Sequence, residues 1–109
     1  MTSKEKLLGL KLKEESVTID GIDFLIKELN GGDSSSYQES LYKIVNGVPI
    51  SNLKNATEKL VALTVFEPDG TRMFEITDLE QIKLIPNHVV EQLFKTARNI
   101  NGLGKTVKN

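Results

Sequence analysis

The feature of this sequence that most constrains its fold is a two-residue turn, Asp20-Gly21, with alternating apolar residues on both sides. Both turn positions tolerate the positive φ angles of a type I′ turn, which joins neighbouring antiparallel strands. If Ile19 pairs with Ile22, the apolar side chains of the two strands lie on one face. These side chains are Val17, Ile19, Ile22, Phe24 and Ile26. The sequence therefore predicts a β-hairpin at residues 16–29.

The segment before this hairpin is compatible with two structures. Residues 4–8 can form a helical turn, whereas Leu8, Leu10 and Leu12 alternate as strand residues do. We favour a short helix at this position.

Helical spacing dominates the sequence after the hairpin. Residues 33–36 offer side-chain oxygens for an N-cap, and apolar residues follow at helical spacing as far as Val45. Asn46-Gly47 then predicts the end of that helix. A longer helix is predicted to start near Ser51 or Asn52 and to reach the turn Glu67-Pro68-Asp69-Gly70. Its inward stripe consists of Leu53, Ala56, Leu60, Val61, Leu63 and Thr64.

Two more helices are predicted nearer the C-terminal end. Residues 71–76 form an edge strand or an extended segment, and the Thr77–Glu80 spacing of a capping box starts a short helix. Pro86 suits the first turn of a last helix, and Gly102 suits the position after its end. The apolar side of this last helix consists of Val89, Val90, Leu93, Phe94, Ala97 and Ile100.

These elements predict a single α+β domain over residues 1–102, followed by a flexible tail at 103–109. The domain is an N-terminal β-hairpin or small antiparallel sheet packed against three to four α-helices. The length of 109 residues fits one domain. The net charge of -1 gives no strong positive field that would attract nucleic acid or an anionic membrane. No apolar run approaches the ~20 residues of a membrane helix, so we expect an intracellular protein.

The residue types that carry most enzyme chemistry are few or poorly placed. The absence of cysteine excludes thiol catalysis and Cys-based zinc sites, and His88 is the only histidine. Asp20 and Asp23 flank a hairpin turn, not an apolar cleft that would shift a pKa. Gly104-Lys105-Thr106 matches the end of a phosphate-binding loop, but Asn99 stands where that loop needs glycine. We expect no enzyme activity, no catalytic residue, no cofactor and no bound metal.

Three groups of segments occur in an order typical of one protein family. The first is the hairpin at 17–24, continued by Ile26-Lys27-Glu28-Leu29 and Gly32-Asp33. The second is a helix at 58–66 that breaks at 67–70 and resumes with Met73-Phe74. The third runs from Asp78-Leu79 through Ile85-Pro86 to residues 89–93 and the ending at 97–103. In this order, over residues 15–103, the chain resembles the tail assembly chaperones of long-tailed bacteriophages and related prophages.

The resemblance implies a non-catalytic role in tail morphogenesis. Such chaperones coat the tape measure protein and help recruit tail tube subunits around it. The implied partners are therefore the tape measure protein and the tail tube protein, with no nucleic acid and no membrane, and self-association stays open. The implied location is the bacterial host cytoplasm, and the protein is absent from the mature virion. The alternative is a structural minor tail component that is retained in the mature phage tail.

A partner with long apolar helices would need those surfaces covered before assembly. An amphipathic C-terminal helix can cover them by helix-in-groove packing. The candidate contact residues are Leu93, Phe94 and Ala97 on that helix, with Phe66 and Phe74 around the turn. The alternative is that all five side chains fill the domain's own core.

Overall fold

The computed structural model describes residues 2–102. The helices of this part of the chain are α1 (Ser3–Leu8), α2 (Gly31–Glu39), α3 (Ala56–Thr64), α4 (Leu79–Ile82) and α5 (Asn87–Ile100). The strands are β1 (Glu14–Ile19), β2 (Ile22–Lys27), β3 (Tyr42–Val45), β4 (Val48–Ser51) and β5 (Val65–Phe66). A 3-10 turn, Ile76–Asp78, precedes α4. The predicted α+β class, with an N-terminal hairpin packed against helices, is confirmed.

The N-terminal hairpin has the predicted turn and register. Ile19 pairs with Ile22 across Asp20-Gly21, and both turn residues have positive φ angles, 53° and 77°. Strand β5 extends the sheet by pairing antiparallel to β2, which gives the strand order β1-β2-β5. The hairpin is therefore the base of the sheet on which the helices pack.

One face of this sheet forms the core together with α3, α4 and α5. The strands contribute Ile19, Phe24 and Ile26, all buried, while Leu25 points to the opposite face because side chains alternate along a strand. Each fully buried aliphatic side chain stabilises the fold by roughly 1.5–3 kcal/mol. The core residues of the helices are Tyr37 of α2 and, on α3, α4 and α5, Leu60, Val61, Ala62, Ile82, Val89, Val90, Leu93 and Ala97.

Helix α5 is attached to the sheet at both of its ends. At its start, His88 Nε2 lies 2.6 Å from Asp20 Oδ2 in the first hairpin turn. At its end, the backbone N–H of Leu29 donates to Asn101 Oδ1 at 2.8 Å. Gly102, with φ 73°, follows the C-cap as predicted, while Pro86 is the N-cap, just before the first turn in which it was predicted. These contacts fix the position of α5 along β2.

Residues 42–51 form a second hairpin, so the prediction of a helix as far as Val45 was wrong. Helix α2 starts after Asn30, whose side chain accepts from the Asp33 N–H at 2.8 Å, and ends at Glu39. Asn46-Gly47 is a second type I′ turn, with φ angles of 52° and 78°. The flanking β-branched residues favour strands over a helix. The next helix consequently begins at Ala56, later than the predicted Ser51 or Asn52.

The remaining local predictions are confirmed in part: α3 ends at Thr64, and Val65–Phe66 form β5 where the helix was predicted to continue. The turn at 67–70 is closed by the Gly70 N–H donating to the Glu67 carbonyl at 2.8 Å, and after it Arg72 forms an isolated antiparallel bridge with Phe66. The 3-10 turn before α4 is closed by the Glu75 N–H donating to Asp78 Oδ2 at 2.8 Å, and the predicted capping box of Thr77 and Glu80 does not form. Helix α1 confirms the favoured N-terminal helix. The predicted tail at 103–109 lies outside the described residues.

Candidate protein-interaction surface

The five predicted contact residues occupy different environments. Leu93 and Ala97 are 1% and 0% exposed, so their side chains fill the domain's own core. Phe94 and Phe74 are half-buried at the margin of the core. Phe66 pairs with Leu25 in the sheet and therefore lies on the face opposite α5. The fold thus separates Phe66 from Phe94 and leaves Phe94 as the accessible aromatic residue of α5.

Phe94 lies between two shallow depressions. One has a volume of about 540 Å³, and the other, on the outer side of α5, has a volume of about 450 Å³. Thr57 and Arg98 line both depressions together with Phe94. The larger depression is also lined by Tyr37, Gln38, Leu41, Tyr42, Leu53 and Ala56. We call this continuous surface the Phe94 groove.

The walls of the Phe94 groove are held by polar contacts. The Arg98 guanidinium carbon lies 5.4 Å from the centre of the Phe94 ring, a cation–π contact. The Tyr37 hydroxyl donates to the Ala56 carbonyl at 3.2 Å, which joins α2 to the start of α3. Burial raises the pKa of the Tyr37 hydroxyl, and the nearby Arg98 charge opposes that rise. Tyr37 therefore stays neutral near pH 7 and supports the inner wall.

The second hairpin continues the apolar surface beyond the groove. Every residue of β3 and β4 is exposed, although both faces of the hairpin carry apolar side chains. One face has Tyr42, Ile44 and Pro49, and the other has Val45, Val48 and Ile50. An isolated two-stranded hairpin is only marginally stable in water, and a contiguous exposed apolar patch marks an interaction site. The hairpin and the Phe94 groove share Tyr42, so they form one surface.

Sequence reasoning identified Phe94 but missed the second hairpin. Ile44 and Val45 were assigned to the end of a helix, and no interaction role was predicted for any apolar residue of this hairpin. The signal was present in Asn46-Gly47, the same kind of turn dipeptide as Asp20-Gly21, flanked by β-branched residues.

Polar clusters on the described part of the chain serve structural contacts. His88 pairs with Asp20, and Asp23 accepts a hydrogen bond from the Thr18 hydroxyl at 2.7 Å. Residues 2–102 contain no group of three His, Asp or Glu side chains arranged to hold a metal ion. The Gly104-Lys105-Thr106 match lies outside the described residues. No helix within residues 2–102 has the length and apolar character needed to cross a bilayer.

Comparison with known proteins finds a likeness among the solved structures. No protein-family model and no curated protein sequence matches the chain. Among solved structures, the bacteriophage HK97 tail assembly chaperone is similar, with a TM-score of 0.63 and 19% sequence identity. The similarity covers 91% of this chain and 98% of that one. The chain has the fold of a phage tail assembly chaperone. This agrees with the fold implied by the resemblance in segment order.

Proposed function

We propose that this chain is a phage tail assembly chaperone, a binding protein without catalytic activity. The observation that supports this most directly is the likeness to the HK97 chaperone over nearly the whole of both chains. The exposed apolar surface agrees with it, because a protein that shields other chains needs apolar area that its own core does not use.

The partner that fits this role is the tape measure protein, whose apolar helices need cover before the tail tube surrounds them. One such helix lies in the Phe94 groove in our proposal, with its apolar stripe against Phe94 and Leu53. The second hairpin covers the helix from the side and gains the packing that it lacks in the free chain. Each Å² of apolar area removed from water contributes roughly 25 cal/mol to this binding.

The proposed role also determines where the protein acts. It works in the cytoplasm of the bacterial host, helps recruit tail tube subunits to the covered tape measure protein, and leaves before the tail is complete. Neither nucleic acid nor a membrane takes part in these steps.

Co-expression with the tape measure protein of the same phage tests the proposal. The wild-type chain should keep the tape measure protein soluble and co-purify with it. Ile44→Lys and Val48→Lys place a charge on either face of the second hairpin and should abolish co-purification without lowering the melting temperature. Gln81→Lys, on the exposed side of α4, is the matched control and should bind normally.

Two outcomes would contradict the proposal. The first is a soluble tape measure protein that never co-purifies with the wild-type chain. The second is recovery of this chain from intact purified tails by mass spectrometry at the copy number of a tail subunit. The second outcome would favour a structural minor tail component.

A further inference from the structure

The sequence contains three Asn-Gly pairs, at residues 30–31, 46–47 and 101–102. In such a pair the backbone nitrogen of the glycine can attack the side-chain carboxamide of the asparagine, because glycine has no Cβ to obstruct the approach. Asparagine is accordingly among the thermally labile residues of proteins. The reaction requires a mobile carboxamide and an accessible nitrogen, so the fold decides which of the three pairs reacts.

Hydrogen bonds hold the carboxamide in two of these pairs. Asn30 is the N-cap of α2, and its Oδ1 accepts from the Asp33 N–H at 2.8 Å. Asn101 is held through both ends of its carboxamide. Its Oδ1 accepts from the Leu29 N–H, and its Nδ2 donates to the Ala97 carbonyl, each at 2.8 Å. In both pairs the reaction must first break contacts that hold a helix end in place.

Asn46-Gly47 has no such restraint. In the part of the chain that the structure describes, the Asn46 side chain makes no hydrogen bond and the Gly47 N–H donates none. Both residues are exposed, and they join two strands in which every side chain is exposed. An isolated two-stranded hairpin is only marginally stable, so its opening costs little free energy and lets the carboxamide reach the Gly47 nitrogen.

From these differences we infer that Asn46 deamidates spontaneously in the folded chain. Hydroxide removes the Gly47 N–H proton, and the nitrogen then bonds to Asn46 Cγ. The amide nitrogen of the side chain takes a proton from water and leaves as ammonia, which closes a succinimide ring. Water opens this ring at Cγ to give aspartate, or at the backbone carbonyl to give isoaspartate, in which the chain continues through the side chain. The net reaction consumes water, releases ammonia and needs no oxidant or cofactor.

The two products affect the second hairpin differently. Aspartate suits the turn, as Asp20 does with φ 53° in the first hairpin. Isoaspartate adds a carbon to the backbone, so the two-residue turn and the pairing of Val45 with Val48 cannot both persist. Tyr42 of this hairpin lines the Phe94 groove, and opening the hairpin therefore alters that surface. This chemistry needs no partner, so it goes beyond the proposed function.

Tryptic mapping of the folded full-length chain, incubated at mildly alkaline pH, tests the inference. The tryptic peptides 28–43, 44–54 and 99–105 each contain one Asn-Gly pair, and tandem mass spectrometry locates the converted residue. Conversion of Asn46 should be at least about tenfold faster than conversion at either other pair. A sample digested without incubation measures the conversion that occurs during digestion. In the urea-unfolded chain the three rates should become similar.

Two variants show which residue of the peptide 44–54 reacts. Asn46→Gln should reduce conversion of this peptide to the level of the sample without incubation, because the longer side chain would have to close a larger ring. Asn52→Gln removes the other asparagine of the same peptide and keeps the backbone N–H that donates to the Leu41 carbonyl. It is the matched control and should react like the wild-type chain.

Amide hydrogen exchange tests the structural consequence. The purified isoaspartate form should exchange faster across residues 42–51 than the unmodified chain, while the β1–β2 amides stay unchanged. Equal rates at the three pairs in the folded chain, or a difference that persists in urea, would overturn the inference. Unchanged conversion in Asn46→Gln, or unchanged exchange across residues 42–51, would do the same.

Discussion

The two type I′ turns of this chain allow a matched test of which hairpin supports the fold. Their φ angles are nearly identical, 53° and 77° at Asp20-Gly21 against 52° and 78° at Asn46-Gly47. A Cβ added at either glycine would meet no atom within 4 Å. Alanine at Gly21 or Gly47 therefore costs only the left-handed backbone conformation, roughly 1–2 kcal/mol.

The same local cost should have different effects on the whole domain. Gly21→Ala strains the hairpin that buries Ile19 and Phe24, so the full cost enters the free energy of unfolding. The melting temperature should then fall by roughly 4–8 °C per kcal/mol. Gly47→Ala strains a hairpin that buries no residue and can open by itself, so the melting temperature should change by less than about 2 °C.

Thermal denaturation followed by circular dichroism measures the melting temperatures of the two variants. Amide hydrogen exchange measures local opening of the second hairpin, because Gly47→Ala should speed exchange across residues 42–51 and leave the β1–β2 amides protected. Equal losses of melting temperature in the two variants would refute the reasoning, since they would show that the second hairpin unfolds together with the core.

Three further predictions follow from burial and titration. Leu93→Ala should lower the free energy of unfolding by about 2–5 kcal/mol in urea denaturation, because Leu93 is fully buried, while Lys95→Ala should change it by less than about 0.5 kcal/mol. Because burial raises the pKa of Tyr37, the folded chain keeps that proton longer than the unfolded chain, and stability should fall as the pH rises beyond about 10. Tyr37→Phe should reduce this loss of stability at high pH. In Tyr42→Phe, Tyr37 is the remaining tyrosine, and its tyrosinate absorbance should titrate above the ordinary tyrosine pKa. Titration at the ordinary value would contradict the reasoning. Deleting residues 2–12 should shift the melting temperature by less than about 3 °C, because α1 buries no side chain; a larger loss would reveal a contact that the structure lacks.

The structure shows which parts of the fold the sequence could predict. The β1–β2 hairpin was predictable because its turn and its alternating pattern are local signals that agree. The β3–β4 hairpin was missed because Tyr37, Leu41 and Ile44 also fit helical spacing, and Asn-Gly ends helices as readily as it joins strands. Burial could not decide between these interpretations, because no β3 or β4 side chain is buried.

The candidate site also contains residues that could be predicted from the sequence and contacts that could not. Phe94 could be predicted because the amphipathic pattern of α5 places it at the edge of the buried stripe. The contacts of Lys27 and Arg72 with the Phe66 ring could not be predicted, because the pairings of β5 bring together residues that lie far apart in the sequence. The pairing of Asp20 with His88 could not be predicted either, because it depends on the packing of α5 against the hairpin.

The contacts at the two ends of α5 have a mechanical consequence. The contacts of His88 with the hairpin turn and of Asn101 with Leu29 add to the buried packing of Leu93 and Ala97, and together they limit sliding and rolling of α5 on the sheet. The orientation of Phe94 thus depends in part on contacts outside the groove. Asp20→Ala should therefore loosen the first turn of α5, although Asp20 does not line the Phe94 groove.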